Sequence, residues 1–123
     1  MESSDRIYLG GIDCYAYHGV LPEERERGQR FLVDLVLEVD LRPGGVSDRL
    51  EDTVDYAEVY EGVRAVVEGE PRQLIERVAE DVAAAVLGTE GRVRAVGVTL
   101  RKPQAPLPGI VGEVAVEIHR RRA

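Results

Sequence analysis

Between Phe31 and Leu41 apolar and polar residues alternate. Phe31, Val33, Leu35, Leu37, Val39 and Leu41 fall on one face, and Asp34, Glu38 and Asp40 fall on the other beside Leu32 and Val36. A period of two is that of a half-buried β-strand. Ile7 to His18 is rich in β-branched and aromatic residues, and Gly10-Gly11 within it reads as a bulge. The two runs are joined by Gly19 to Arg30, with Pro22 and Gly28 as breakers, so the pattern predicts a long β-hairpin with an extended loop. Gly44-Gly45 reads as a turn. Val59, Val63, Val66 and Val67 then recur at helical spacing until Gly69 and Pro71, and Asp55 is a candidate N-cap. Leu74, Val78, Val82, Ala85 and Val86 repeat that spacing until Gly88. Strand periodicity returns at Val96, Val98 and Leu100 and again at Val114, Val116 and Ile118. The predicted order is ββααββ, an α+β fold with an antiparallel four-stranded sheet and two helices on one of its faces.

Such a sheet leaves one face and two edges uncovered, and exposed edges invite pairing with another chain. The outward side of the second strand still carries Leu32 and Val36. Joining the edges of several subunits into a ring or barrel would resolve both problems, so the pattern points to a homo-oligomer.

Composition narrows the class. The chain has 123 residues, 44% of them hydrophobic, which suits a single domain spanning residues 1–123. Cys14 is the only cysteine, so no intrachain disulfide forms. Met1 to Arg6 lacks the features of a signal peptide, and no apolar run approaches the roughly 20 residues of a membrane span. A soluble cytoplasmic protein with no membrane association is expected. The net charge of −7 argues against nucleic acid as a partner. The one basic cluster, Arg120-Arg121-Arg122, reads as a solvated tail after the last strand.

Lys102 is the only lysine among 16 basic residues. If charge alone mattered, this chain would place arginine there. Arginine cannot be deprotonated in proteins, whereas lysine can be tuned into a base or nucleophile. Lys102 also sits where the third strand meets Pro103. The bland alternative is an ordinary exposed lysine. Glu76 lies in the first turn of the second helix, where a glutamate commonly offsets the helix dipole. There it could also grip an amidine-like edge with paired hydrogen bonds. Tyr56 opens the first helix and could pack, stack or donate a proton. Glu23-Glu24-Arg25-Glu26-Arg27 follows His18-Gly19 in a loop longer than a hairpin needs, which raises its chance of a role above that of a solvated charge run. Cys14, His18 and His119 match no zinc-ligand spacing, so no metal and no cofactor is expected. Walker, dinucleotide and nucleophile-elbow motifs are absent.

Taken together, Tyr15-Ala16-Tyr17-His18-Gly19, Glu24, Gly28-Gln29, Asp52-Thr53-Val54-Asp55-Tyr56, Leu74-Ile75-Glu76 and the run Lys102-Pro103-Gln104-Ala105-Pro106-Leu107-Pro108 resemble the dihydroneopterin aldolases in order and spacing. The resemblance implies the tunnelling fold, with subunit sheets joined into a barrel and two tetramer rings stacked as an octamer. It implies retroaldol cleavage of a pterin, 7,8-dihydroneopterin, to 6-hydroxymethyl-7,8-dihydropterin and glycolaldehyde in folate biosynthesis, with C2′ epimerisation alongside. The substrate's own N5=C6 imine is then the electron sink, so neither metal nor Schiff base is needed. By the same resemblance Lys102 is the acid/base at the 2′-hydroxyl, and Glu76 holds the 2-amino and N3–H edge with help from the Ile75 backbone. Leu74 and Val20 belong to the substrate pocket. Tyr56 comes from a neighbouring subunit and assists proton delivery at the enamine carbon. Glu24 binds the side-chain hydroxyls or a water near Lys102. Ala16, where relatives often have glycine, and Ile110-Val111-Gly112, at the rim of the pocket, depart from the family pattern. Two other readings compete: an epimerase acting on dihydroneopterin or its triphosphate, and a non-catalytic pterin-binding protein.

Overall fold

The computed structural model of the chain describes residues 5–109 and 112–123. The expectation for the rim segment at Ile110 and Val111 lies outside the described residues. Four strands, β1 (Arg6–Ala16), β2 (Gln29–Glu38), β3 (Ala95–Lys102) and β4 (Val114–Arg121), form one antiparallel sheet in the order β1-β2-β3-β4.

The alternation of β2 places Phe31, Val33, Leu35 and Leu37 in the core at 1% exposure or less. On β1 the inward phase switches. Ile7 and Leu9 pack against the core before the glycine pair, and Ile12, Cys14 and Ala16 do so after it. The bulge expected at Gly10-Gly11 makes the switch, because Leu9 opposes Leu35 while Ile12 opposes Val33, one residue more on β1 than on β2. Gly11 takes φ +69°, and its N–H donates to Asp34 Oδ1 at 2.7 Å. Without that extra residue the second half of β1 would turn its apolar side to solvent.

Helices α3 (Tyr56–Val67) and α4 (Ile75–Thr89) cover one face of the sheet and pack against each other. Asp55 caps α3 as expected, its Oδ1 accepting from the N–H of Ala57 at 3.0 Å and of Glu58 at 3.4 Å. Val59, Val63 and Val67 face inward from α3, and Val66 is half-buried. The stripe of α4 is Ile75, Val78, Ala79, Val82, Ala83 and Val86.

Several expectations are corrected. Leu74 is outside α4 and 51% exposed, because the chain enters the helix extended there and Ile75 takes the first inward position. Ala85 is only half-buried, since Ala83 occupies the stripe instead. Gly88 does not stop α4, for an exposed glycine costs the helix little more than backbone entropy and the turn continues to Thr89. β1 and β2 are shorter than the alternating runs, ending at Ala16 and Glu38. The loop after His18 contains a short helix, α1 (Pro22–Arg27), opened by Pro22. The Gly44-Gly45 turn is part of another, α2 (Arg42–Ser47), closed by Asp48 in the left-handed region, and a single 3₁₀ turn follows at Leu50–Asp52.

The arginine cluster is also no loose tail. Arg120 and Arg121 lie on β4, and Arg120 pairs with Glu80 of α4. The Arg122 guanidinium donates to the carbonyls of Leu87 and Glu90 at 2.8 Å and of Val93 at 2.9 Å, tying the end of β4 to the last turn of α4 and the connection that follows it. Arg122→Ala is expected to lower stability by about 1–2 kcal/mol, read as a shift of the urea midpoint. Arg122→Lys recovers less than half, because a point ammonium cannot fork between three acceptors.

Candidate active site

Lys102 ends β3, and its Nζ lies 2.6 Å from Glu24 Oε2. Both side chains are mostly enclosed, at 13% and 7% exposure. Glu24 comes from the first turn of α1, where its Oε1 reaches back to the N–H of Leu21 at 3.3 Å. The same Oε2 that meets Lys102 also accepts from Gln29 Nε2 at 2.9 Å. Burial alone would raise the Glu24 carboxyl, but the hydrogen bonds from Lys102, Gln29 and Leu21 outweigh it and hold the group below the usual carboxylate range. The Lys102 amine and the Glu24 carboxylate are therefore in near contact at the mouth of the hairpin loop. A shallow cavity lies beside it, lined by Glu23, Glu24, Arg27, Gln29, Gln104 and Pro106 among others.

His18 and Gly19 fix the neighbourhood of this pair. Gly19 takes φ +152°, and a Cβ there would stand 2.4 Å from Glu24 Cδ and 2.6 Å from Glu24 Cβ. The absence of a side chain is what lets the Glu24 carboxylate pack over this backbone. Gly19 N–H donates to Arg72 O at 2.9 Å, and Arg72 N–H donates back to His18 Nδ1 at 2.9 Å. His18 Nδ1 is thus an acceptor, so the proton of the neutral ring sits on Nε2 and is donated to Val67 O at 2.6 Å. His18 is only 1% exposed. Burial pushes its imidazole below the ordinary histidine range, against the opposing pull of the Val67 carbonyl. The end of β1 is in this way stapled to the α3–α4 connection, two residues before Leu74-Ile75-Glu76.

At the start of α4 no side chain caps the helix. The N–H groups of Ile75 and Glu76 have no intrahelical partner, and Glu76 itself is exposed in that first turn. This end of the helix offers N–H donors, one carboxylate and the apolar surface of Leu74, all carried by the segment that His18 pins. Val20 and Leu21, at 63% and 39% exposure, follow Gly19.

Of the residues singled out in the sequence, Lys102 and Glu24 meet directly, and the segment of Leu74, Ile75 and Glu76 is tied to them through His18 and Gly19. Tyr56 is not brought in: it is 64% exposed at the start of α3, and no hydrogen bond joins it to the pair. His18 is a structural pin with both ring nitrogens occupied, and Cys14 is a core residue whose thiol burial pushes up to about 11. Neither is available as a metal ligand. Reading residue by residue passed over Gln29, and the main chain of Arg72 carried no signal at all, because it acts through its N–H and C=O.

A family model described as FolB, dihydroneopterin aldolase, matches residues 7–119. The chain is 45% identical over 119 residues to the dihydroneopterin aldolase of Bacillus subtilis (strain 168), covering 97% of this chain and 99% of the relative. It is similar to the atomic-resolution structure of the E. coli dihydroneopterin aldolase in complex with neopterin, with a TM-score of 0.87, 31% identity, and 94% and 98% of the two chains covered. A third likeness is the Burkholderia thailendensis dihydroneopterin aldolase bound to guanine, at TM-score 0.79 and 30% identity, covering 97% of this chain and 92% of that one.

Proposed function

Because the chain belongs to the dihydroneopterin aldolase family, we propose that it splits 7,8-dihydroneopterin into 6-hydroxymethyl-7,8-dihydropterin and glycolaldehyde, a folate-biosynthesis step, with its own residues in the following roles. The observation that carries the reading is the enclosed Lys102–Glu24 pair, 2.6 Å apart, with the open end of α4 stapled beside it. Lys102, as the neutral amine once its own proton has passed to water, accepts the proton of the 2′-hydroxyl, directly or through water, with the Glu24 carboxylate as its hydrogen-bond partner. The C1′–C2′ bond breaks, glycolaldehyde leaves, and the bonding electrons enter the N5=C6 imine to give an enamine. Protonation at C1′ completes the product. The substrate supplies the electron sink, so the reaction proceeds without a metal or a Schiff base. Addition of glycolaldehyde back to the enamine on its other face gives the C2′ epimer.

Glu76 and the N–H groups of α4 hold the flat end of the pterin. Neopterin and guanine, the ligands of the two solved relatives, share a 2-amino-4-oxopyrimidine edge, which a carboxylate can meet with two parallel hydrogen bonds. Glu76→Ala is expected to raise KM by about 10- to 100-fold, the loss of a charged hydrogen-bonded contact, with kcat reduced far less. Steady-state kinetics separates the two. Leu74 and Val20 pack on the pterin faces.

Tyr56 acts from a neighbouring subunit. Its exposure, the exposed apolar side chains at Val20, Leu21 and Leu74, and the free edges of β1 and β4 all support an assembly in which sheets join edge to edge. We assign the protein to a cytoplasmic octamer of two stacked tetramer rings. Native mass spectrometry should find eight copies of the 13.6 kDa chain, and a monomer at working concentration would remove Tyr56 from the mechanism.

The test is anaerobic incubation of chelator-treated protein with 7,8-dihydroneopterin, followed by chromatography of the pterins. Hydroxymethyldihydropterin with glycolaldehyde is the expected result. Formation of the C2′ epimer alone would make the protein an epimerase, and binding without turnover would make it a pterin-binding protein. Borohydride added during turnover should leave the protein mass unchanged, and a reduced adduct on Lys102 would restore the Schiff-base route.

A further inference from the structure

Gln29 has two ends in different circumstances. It is 7% exposed, and its backbone is the first residue of β2, opposite Ala16 of β1. Its Nε2 donates to Glu24 Oε2 at 2.9 Å. Its Oε1 is buried and finds no donor among the described residues. Turning the amide over does not help, because a carboxylate only accepts, and a carbonyl facing it would set two acceptors together. The amide nitrogen must face Glu24, so the unsatisfied oxygen must face away from it. Buried acceptors are rarely left in this state unless a donor arrives in the working protein. Gln29 lines the shallow cavity beside the Lys102–Glu24 pair, together with Gln104 and Pro106.

We propose that Gln29 is a positioning residue of this site: its amide N–H holds the Glu24 carboxylate against Lys102, and its amide oxygen receives the O–H of a water or of a substrate side-chain hydroxyl. The proposal rests on the aldolase reading above and adds a group to it. Glu24 Oε2 is shared by Lys102 and Gln29, so loss of the amide leaves the carboxylate with one firm partner and freedom to rotate. An O–H donor at Gln29 Oε1 would sit on the side of the amide away from Glu24, next to the cavity that Gln29 and Glu24 both line.

Crystal structures of the wild-type protein, with and without neopterin, test the acceptor. An oxygen within about 3.2 Å of Gln29 Oε1 is expected. An ordered water present in both structures identifies water as the donor, and its replacement by a neopterin hydroxyl identifies the substrate. Only carbon contacts in both structures would overturn the assignment. Kinetics tests the donor. Gln29→Met, which removes both functions, should lower kcat by about 10- to 100-fold with KM within about threefold. The acid limb of the kcat–pH profile should move upward, since Glu24 has lost a donor. Gln29→Glu keeps an acceptor but removes the N–H and should shift the limb at least as far. An unchanged kcat and acid limb in both variants would overturn the proposal. If the wild-type protein forms no cleavage product, the aldolase reading fails instead, and the crystal structures still judge the Gln29 acceptor.

Discussion

Lys102→Met is expected to lower kcat for cleavage by about 10²- to 10⁴-fold, the range of a positioned acid/base, while neopterin still binds within about threefold of the wild-type affinity. In the proposed site the pterin ring is held by the α4 segment and the proton is moved by Lys102, so recognition and chemistry should separate in this variant. Methionine keeps most of the volume of the lysine stem and removes only the group that exchanges a proton. Its side effect falls on Glu24, which loses its closest partner at 2.6 Å while remaining 7% exposed. That carboxyl sits below its ordinary range in the folded protein, so the stability it contributes is present above the ordinary carboxylate pKa and is lost as pH falls through the folded value. The variant should lose this protection and unfold at higher pH than the wild type. Lys102→Arg restores the cation and the acid stability but not turnover, because arginine does not release a proton. Turnover of Lys102→Met within tenfold of wild type, measured with binding on the same preparation, would sink the assignment.

Lys102 stood out in the sequence because it is the sole lysine in a chain otherwise confined to arginine. Glu24 did not, since it sits in a run of five charged residues and only the family resemblance picks it from its neighbours. Its distinction is geometric: α1 turns it inward over Gly19, and a helix of 6 residues is too short for periodicity to announce. The core of the sheet was legible because period-two alternation survives burial. The bulge on β1 was also legible, because glycine weakens a strand interior and two in succession there mark one, although the switch of inward phase it makes was not read. The start of α4 was misplaced by one residue: Leu74 is the extended residue before the helix, so helical spacing does not apply to it and it faces solvent. The role of Arg122 was hidden, for its partners are main-chain carbonyls from three separate positions near the end of α4. Tyr56 could be named from resemblance but not joined to the site within one chain.

His18→Ala should cost about 4 kcal/mol of stability, a large share of what a domain of this size possesses. The ring is 1% exposed, meets Phe31 edge-on at 5.2 Å between centroids, and joins the end of β1 to Val67 and Arg72. Its removal leaves a cavity and strands Val67 C=O and Arg72 N–H. Thermal unfolding should move down by roughly 10–20 °C. The pH dependence separates this role from simple packing. In the folded protein burial is the main force that disfavours the charged form of His18; the Val67 carbonyl opposes it, Arg72 and Lys102 add to it, and Asp81 weakly opposes it. The unfolded chain therefore takes up the proton first as pH falls below the ordinary value of 6.5. Wild-type stability should be level above that value and decline between it and the lower folded pKa. His18→Phe refills most of the space and recovers the packing share, but it does not titrate, so its stability should stay level across the same interval until Glu24 begins to protonate. A His18→Phe protein that keeps the wild-type decline would place the titrating group elsewhere. One that loses the decline should also bind neopterin more weakly than wild type with the Lys102–Glu24 pair intact, because the pin on the segment leading to Glu76 would be gone.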